Sequence, residues 1–310
     1  MRKPHSIEIL SVLAVLSVLM FLSAASSIIY LLLFFIASLI ILVFSSDAFF
    51  DNAVPMFRSR GIGDMYAGTI FVGFASVLDE IALSASSLIF RHPEIGIGAV
   101  EGSNLITMAF FTVIVAVSYL EVAGEFTLDM IVILVLTILS MVFAEIFVHI
   151  PWFYSIALFV PFVVYLVIKA GGSKEAGYGP QEYSNIVLIV SFFLIFLSSD
   201  TLVRSTIGIA SYTGINLVDL SAYGIGMVSS FPEIIMILVS LRGGRKVVSM
   251  GIFTGSTVYK MSLIPGIIIV SEPTGFSDIF YMLLAILVMS LLVLFLGIMS
   301  RKSQGRSNIH

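Results

Sequence analysis

Two glutamates stand out for where they sit. Glu80 lies about fifteen residues into an apolar run that begins at residue 66, and Glu233 lies at the same depth in a run that begins at 219. A carboxylate near the middle of a bilayer is costly unless it is paired or hydrated, so each is a functional candidate. Together they offer two negative charges and up to four oxygens, a donor set that suits a hard divalent cation such as Ca²⁺. The competing reading is two protonated glutamates that pack helices.

Their neighbours extend the pattern. Gly73, Ser76 and Asp79 precede Glu80; Gly226, Ser229, Ser230 and Pro232 precede Glu233. Small residues, hydroxyls and a proline are expected to break a helix and free backbone carbonyls, which is tolerated only where the backbone lines a cavity. The following runs carry Glu101-Gly102-Ser103-Asn104 and Gly255-Ser256-Thr257. Glycine allows close helix approach, and the hydroxyls add neutral oxygens. A purely structural role for these Gly-Ser pairs stays open.

Only a membrane chain can hold such residues at such depth, and the composition agrees. Of 310 residues, 59% are hydrophobic and 11% charged, with a mean hydropathy of +1.13. A soluble domain is about 25% charged. A net charge of −4 without a basic stripe excludes nucleic-acid binding as a main function, and the absence of cysteine excludes disulfides, thiolate metal sites and thiol catalysis. No cofactor is expected. The expected partners are the lipid bilayer and inorganic cations, with the chain acting as a monomer.

Runs long enough to cross the hydrocarbon core, about 20 residues, fall at 7–24, 27–50, 66–90, 95–119, 126–148, 151–169, 185–205, 219–241, 247–271 and 276–299. Arg2 and Lys3 give the first run the look of a signal peptide. Without a clear small-residue cleavage site, it reads as a retained helix. Ten spans put both termini on one side. Of the fifteen Lys and Arg, twelve fall on that side, Arg91 and Arg204 on the other, and Lys260 inside the ninth run. The bias makes the termini cytoplasmic, in what is expected to be a prokaryotic cell membrane.

The chain also matches itself at a shift of 153 residues. Ser45-Ser46-Asp47 falls on Ser198-Ser199-Asp200, Gly73 on Gly226, Ser76 on Ser229, Glu80 on Glu233, and Gly102-Ser103 on Gly255-Ser256. Equivalent points lie five crossings apart, so the second copy is inverted, as in many secondary transporters whose site lies where the repeats meet. The organisation expected is a first half at 1–170, a cytoplasmic linker at 171–184 and a second half at 185–310, with repeats at about 66–119 and 219–271. A channel can share this architecture.

These motifs resemble the two repeats of the Ca²⁺:cation antiporter superfamily, which includes the Na⁺/Ca²⁺ exchangers. That family carries G-T-S-L-P-E in one helix of each repeat and G-N-x-x-G-S-N-x-x-[DN] in the next. Ser229-Ser230-Phe231-Pro232-Glu233 follows the first motif, Ser76-Val77-Leu78-Asp79-Glu80 follows it more loosely, and Gly102-Ser103-Asn104 and Gly255-Ser256-Thr257 follow the second. The resemblance implies an all-α polytopic fold of two inverted repeats. It implies that Glu80 and Glu233 bind Ca²⁺, that Ser76, Ser229, Ser230, Ser103 and Ser256 supply hydroxyls, and that Gly73 and Gly226 lie where backbone carbonyls line Na⁺ sites. Thr107 and Lys260 stand where the family has Asp or Asn. Asp79 replaces the family's proline, Val77 removes a hydroxyl, and Glu101 adds an acid.

Lys260 carries about the charge of one Na⁺ on a tether. At mid-membrane it must pair with a carboxylate or lose its proton; otherwise it snorkels out along its helix. Asp200 and Arg204, and Glu145 and His149, have the spacing of helix-end pairs. The function expected is a cation antiporter exchanging Ca²⁺ or a similar divalent ion for Na⁺ or H⁺ by alternating access. The alternative is a cation channel or passive pore, which flux without a counter-ion would favour. An embedded protease is not expected, since no His-Glu-x-x-His occurs. The family's usual first helix matches the second run, and no further apolar run is expected after the tenth. The first run is therefore expected to fill the place of a missing last helix, as in a circular permutation.

Overall fold

The computed structural model describes residues 5–23, 27–59, 73–118, 124–170, 182–242, 246–272 and 274–307. All regular structure among them is helical. In chain order it comprises α1 (His5–Leu22), α2 (Ile28–Ser59), α3 (Gly73–Ser76), α4 (Leu78–Ile89), α5 (Pro93–Ser118), α6 (Gly124–Ile146) and α7 (Ser155–Ala170). The second half holds α8 (Asn185–Thr213), α9 (Leu217–Asp219), α10 (Met227–Arg242), α11 (Lys246–Val258), α12 (Ile264–Ser271) and α13 (Phe280–Ser307). A π-helical turn, Leu220–Gly226, joins α9 to α10, and a second, Tyr259–Leu263, joins α11 to α12.

Eight stretches among the described residues are long and apolar enough to cross a membrane. They coincide with eight of the ten expected runs. The first run appears as α1, whose apolar part is the shorter Glu8–Leu22. The third appears as α3 and α4; the start of that run lies outside the described residues, as does most of the 171–184 linker. The helices bury polar faces inward and leave large apolar side chains such as Val12, Leu33, Phe193 and Tyr281 outside, as expected when the solvent is lipid.

The ninth span, Ser249–Ser271, is the axis of the bundle: 89% of its apolar window is buried, against 22% for Trp152–Lys169. Around it α5 packs against the first π-turn, α4, α10 and α13, while α2 and α8 lie along each other. Contact between α5 and the π-turn is backbone to backbone. A Cβ on Gly102 would sit 2.3 Å from the Ala222 carbonyl oxygen, and one on Gly226 would sit 2.4 Å from that of Ala99. Only glycine permits this approach. At the end of α2 the Asn52 carboxamide oxygen accepts from Ser184 N–H at 2.9 Å, and Ser184 in turn caps α8 by accepting from Val187 N–H.

The first helix does not take the place proposed for it. α7 packs on α6, the second π-turn and α12, so its counterpart would lie against α13 and α5, whereas α1 packs chiefly on α8 and also on α2. The short connection from α1 to α2 keeps these two helices neighbours, and α8, which lies along α2, is the surface within reach. The circular-permutation expectation is corrected accordingly.

Candidate ion-binding site

The helix that carries Glu80 is interrupted just before it. Val77, at φ −115° and ψ 13°, separates α3 from α4, and Val77 N–H still reaches the Phe74 carbonyl at 3.3 Å. Asp79 and Glu80 therefore fall in the first turn of α4, where unpaired N–H groups and the helix dipole favour negative charge. In the second half α10 runs unbroken through Pro232. The expected proline break is thus absent; irregularity comes earlier, in the π-turn before Met227. Such π-bulges frequently mark functional positions.

Five elements converge on one buried chain of polar groups. Ser103 of α5 donates to Glu80 Oε1 at 3.2 Å. Lys260, in the second π-turn, donates from Nζ to Ser103 Oγ at 3.2 Å and to Glu233 Oε2 at 2.6 Å. Thr107 Oγ1 donates to Glu233 Oε2 at 3.2 Å, and Ser256 Oγ donates to Glu233 Oε1. Glu80 and Glu233 are 3% exposed, and the other four residues are fully enclosed. The π-turn, closing on i+5 rather than i+4, turns Lys260 inward. Its ammonium does not snorkel but holds one of the two glutamates.

The remaining sequence candidates divide. Ser76, Ser229 and Ser230 bond back to the preceding turn of chain, donating to the carbonyls of Gly73 (2.8 Å), Gly226 (3.2 Å) and Met227 (2.7 Å). The carbonyls of Gly73 and Gly226 are thus hydrogen-bonded, not left bare as expected. Glu101 Oε2 accepts from Asn104 Nδ2 at 3.2 Å, apart from the central chain. Asp79 Oδ1 and Glu80 Oε2 are buried and have no hydrogen-bond partner among the described residues. Asp79 lines a cleft with Ser46, Asp47, Ser76, Ser229 and Pro232. No group of three or more His, Cys, Asp or Glu suited to a metal ion occurs among the described residues. The centre is a carboxylate, hydroxyl and ammonium network.

Spacing alone pairs two further sets of residues near helix ends. Arg204 Nε lies 2.8 Å from Asp200 Oδ2, as expected, and its guanidinium sits over the rings of Phe21 and Phe90. Glu145 and His149 do not share a helix, because α6 ends at Ile146. A network missed in the sequence joins three spans: Lys169 Nζ lies 2.7 Å from Asp129 Oδ1, and Thr254 Oγ1 donates to Asp129 Oδ2 at 2.9 Å. The available signal was Asp129, an acid near the start of the fifth run.

Buried acids held at the crossing of apolar helices define a membrane transport protein. The chain belongs to the sodium/calcium exchanger protein family, whose model matches residues 30–171 and 183–309. A curated relative, described as "Putative antiporter CaxA" of Alkalimonas amylolytica, is 25% identical over 303 residues, covering 87% of this chain and 91% of its own. The crystal structure of an H⁺/Ca²⁺ exchanger, CAX, superposes with a TM-score of 0.68 at 14% identity, covering 98% of this chain and 95% of that one. The sodium-calcium exchanger NCX_Mj, soaked with Na⁺ and Sr²⁺, superposes with a TM-score of 0.59 at 18% identity, covering 87% and 92%. Both likenesses establish the fold.

Proposed function

We propose that the chain is a secondary antiporter exchanging Ca²⁺ or a similar divalent cation for H⁺ or Na⁺ by alternating access. Its site is built on Glu80 and Glu233, within two inverted repeats whose termini face the cytoplasm. The carrying observation is the buried chain from Glu80 through Ser103 and Lys260 to Glu233. A divalent ion and monovalent ions or protons neutralise the same carboxylates and cannot do so together, which is the coupling. Ser103, Ser256 and Thr107 orient the carboxylates and add neutral oxygens.

The fold is shared with both an H⁺/Ca²⁺ and a sodium-calcium exchanger, so it does not choose the counter-ion. Lys260 bears on that choice. Its ammonium sits on Glu233 in the charge space of one monovalent ion, which supports exchange that does not require Na⁺. Glu80, whose Oε2 has no hydrogen-bond partner among the described residues, is then the carboxylate left to alternate between a divalent ion and a proton.

The test is Ca²⁺ uptake into proteoliposomes under separately imposed pH and Na⁺ gradients. Uptake driven by a pH gradient and abolished in E80Q and E233Q is the expected result. Near-normal transport in both variants would sink the site, and flux needing no counter-ion would make the protein a pore.

A further inference from the structure

The cleft beside the central site has buried polar atoms without a hydrogen-bond partner among the described residues. It lies between α2, the α3–α4 junction and α10, lined by Ser46, Asp47, Ser76, Asp79, Ser229 and Pro232. Asp79 is 3% exposed and Ser46 is 8% exposed, yet Asp79 Oδ1 and Ser46 Oγ have no hydrogen-bond partner among the described residues. Ser76 and Ser229 spend their protons on backbone carbonyls, which leaves their oxygen lone pairs as acceptors. Asp47 is exposed on a membrane-crossing helix. A carboxylate on such a helix is a functional candidate by default, and the apolar side chains of Phe50 and Met236 also line the cleft.

The 153-residue correspondence sharpens this. Asp47 corresponds to Asp200, Asp51 to Arg204 and Asp79 to Pro232. In the second half Arg204 neutralises Asp200 at 2.8 Å. In the first half the guanidinium is replaced by an acid, and the proline by another. Both exchanges put an acid in the first half where the second half has none, and one of the two, Asp79, lines the cleft. Architecture alone would make the two ends alike.

The geometry points to a second cation site in this cleft, with Asp47 and Asp79 supplying charge and Ser46, Ser76 and Ser229 supplying neutral oxygens. Carboxylate with hydroxyl is the donor set of a hard cation, the same class as the cargo proposed above, and the inference rests on that reading. Asp79 precedes Glu80 in the chain, so the site is an antechamber: a cation entering from the side that Ser59 faces meets Asp47, then Asp79, then Glu80.

The test uses the full chain in proteoliposomes, with Ca²⁺ varied separately on each side. D47N and D79N are expected to raise KM by about fivefold or more for Ca²⁺ on the Ser59 side and by less than about twofold on the other, while D200N shows no such sidedness. Equilibrium Ca²⁺ binding gives a second readout: E80Q retains a weak site that E80Q/D47N lacks. Equal KM changes on both sides, no change, or identical binding in those two variants overturns the antechamber. Should D79N fail to fold, D47N, at an exposed position, decides alone. Wild-type exchange by E80Q would instead overturn the exchange reading, and the binding arm would still judge the cleft.

Discussion

Lys260 is a cation that cannot leave. Enclosed on all sides and bonded to Glu233, it has exchanged water for one carboxylate and one hydroxyl. Breaking a buried ion pair from one side typically costs about 3–5 kcal/mol, because the surviving charge is stranded. K260M should therefore lower the apparent melting temperature in detergent, and K260M/E233M should recover most of the loss; equal melting of single and double variants would argue against a charged pair. Exchange by the wild type should proceed without Na⁺. K260D should bring Na⁺ dependence, measured as Ca²⁺ uptake against graded Na⁺, and an obligatory Na⁺ requirement in the wild type would contradict this role. Glu80, Glu233, Ser103, Ser256, Thr107 and Lys260 were all legible as candidates, since polar residues in apolar runs are conspicuous. Which hydroxyl bonds which acceptor was not legible. Ser76 and Ser103 have equal claims by spacing, but one turns back to its own helix and the other crosses to Glu80.

Among the elements, irregular turns decide what points inward. The run positions were readable because lipid demands uninterrupted apolar helix, yet neither π-turn nor the break at Val77 has a residue that compels it. The proline that suggested a break leaves its helix continuous. The Asp129, Lys169 and Thr254 network was hidden for a similar reason: its members belong to α6, α7 and α11, and no local pattern brings them together. T254V should leave the Asp129–Lys169 pair in place and cost about 1 kcal/mol for one lost hydrogen bond, while D129N should cost more by stranding Lys169. Melting curves of the two variants compare these directly. Gly102 makes a sharper demand. Any side chain there meets the Ala222 carbonyl, so G102V should separate α5 from the first π-turn, destabilise by about 1–3 kcal/mol and displace Ser103 from Glu80. Normal Ca²⁺ uptake by G102V would show that this contact does not position the site.

For the molecule as a whole, the positive-inside bias is a prediction about sidedness. The chain has no cysteine, so single cysteines report cleanly. S59C, at the end of α2, should react with an impermeant maleimide only from the cytoplasmic face. S211C and S277C, both exposed near helix ends, should react only from the opposite face. Labelling of all three from one face would overturn the orientation. The sequence also suggested where a spare N-terminal helix belongs, and there it misled. Symmetry arguments rank positions by likeness, whereas a short tether ranks them by reach, and α1 stayed beside α2 and α8.

The fixed ammonium has a consequence for voltage. With Lys260 charged against Glu233, the two central glutamates and the lysine leave one net negative charge in the empty site. A divalent ion makes that site positive by one, and a single proton on Glu80 makes it neutral. Under the proposed exchange the two loaded forms therefore differ in charge as they reorient, and each elementary charge crossing the field is worth about 2.3 kcal/mol per 100 mV. Transport then passes current. An inside-negative membrane potential holds back the Ca²⁺-loaded form as it turns outward, so the tethered cation makes the energised membrane itself a brake on export.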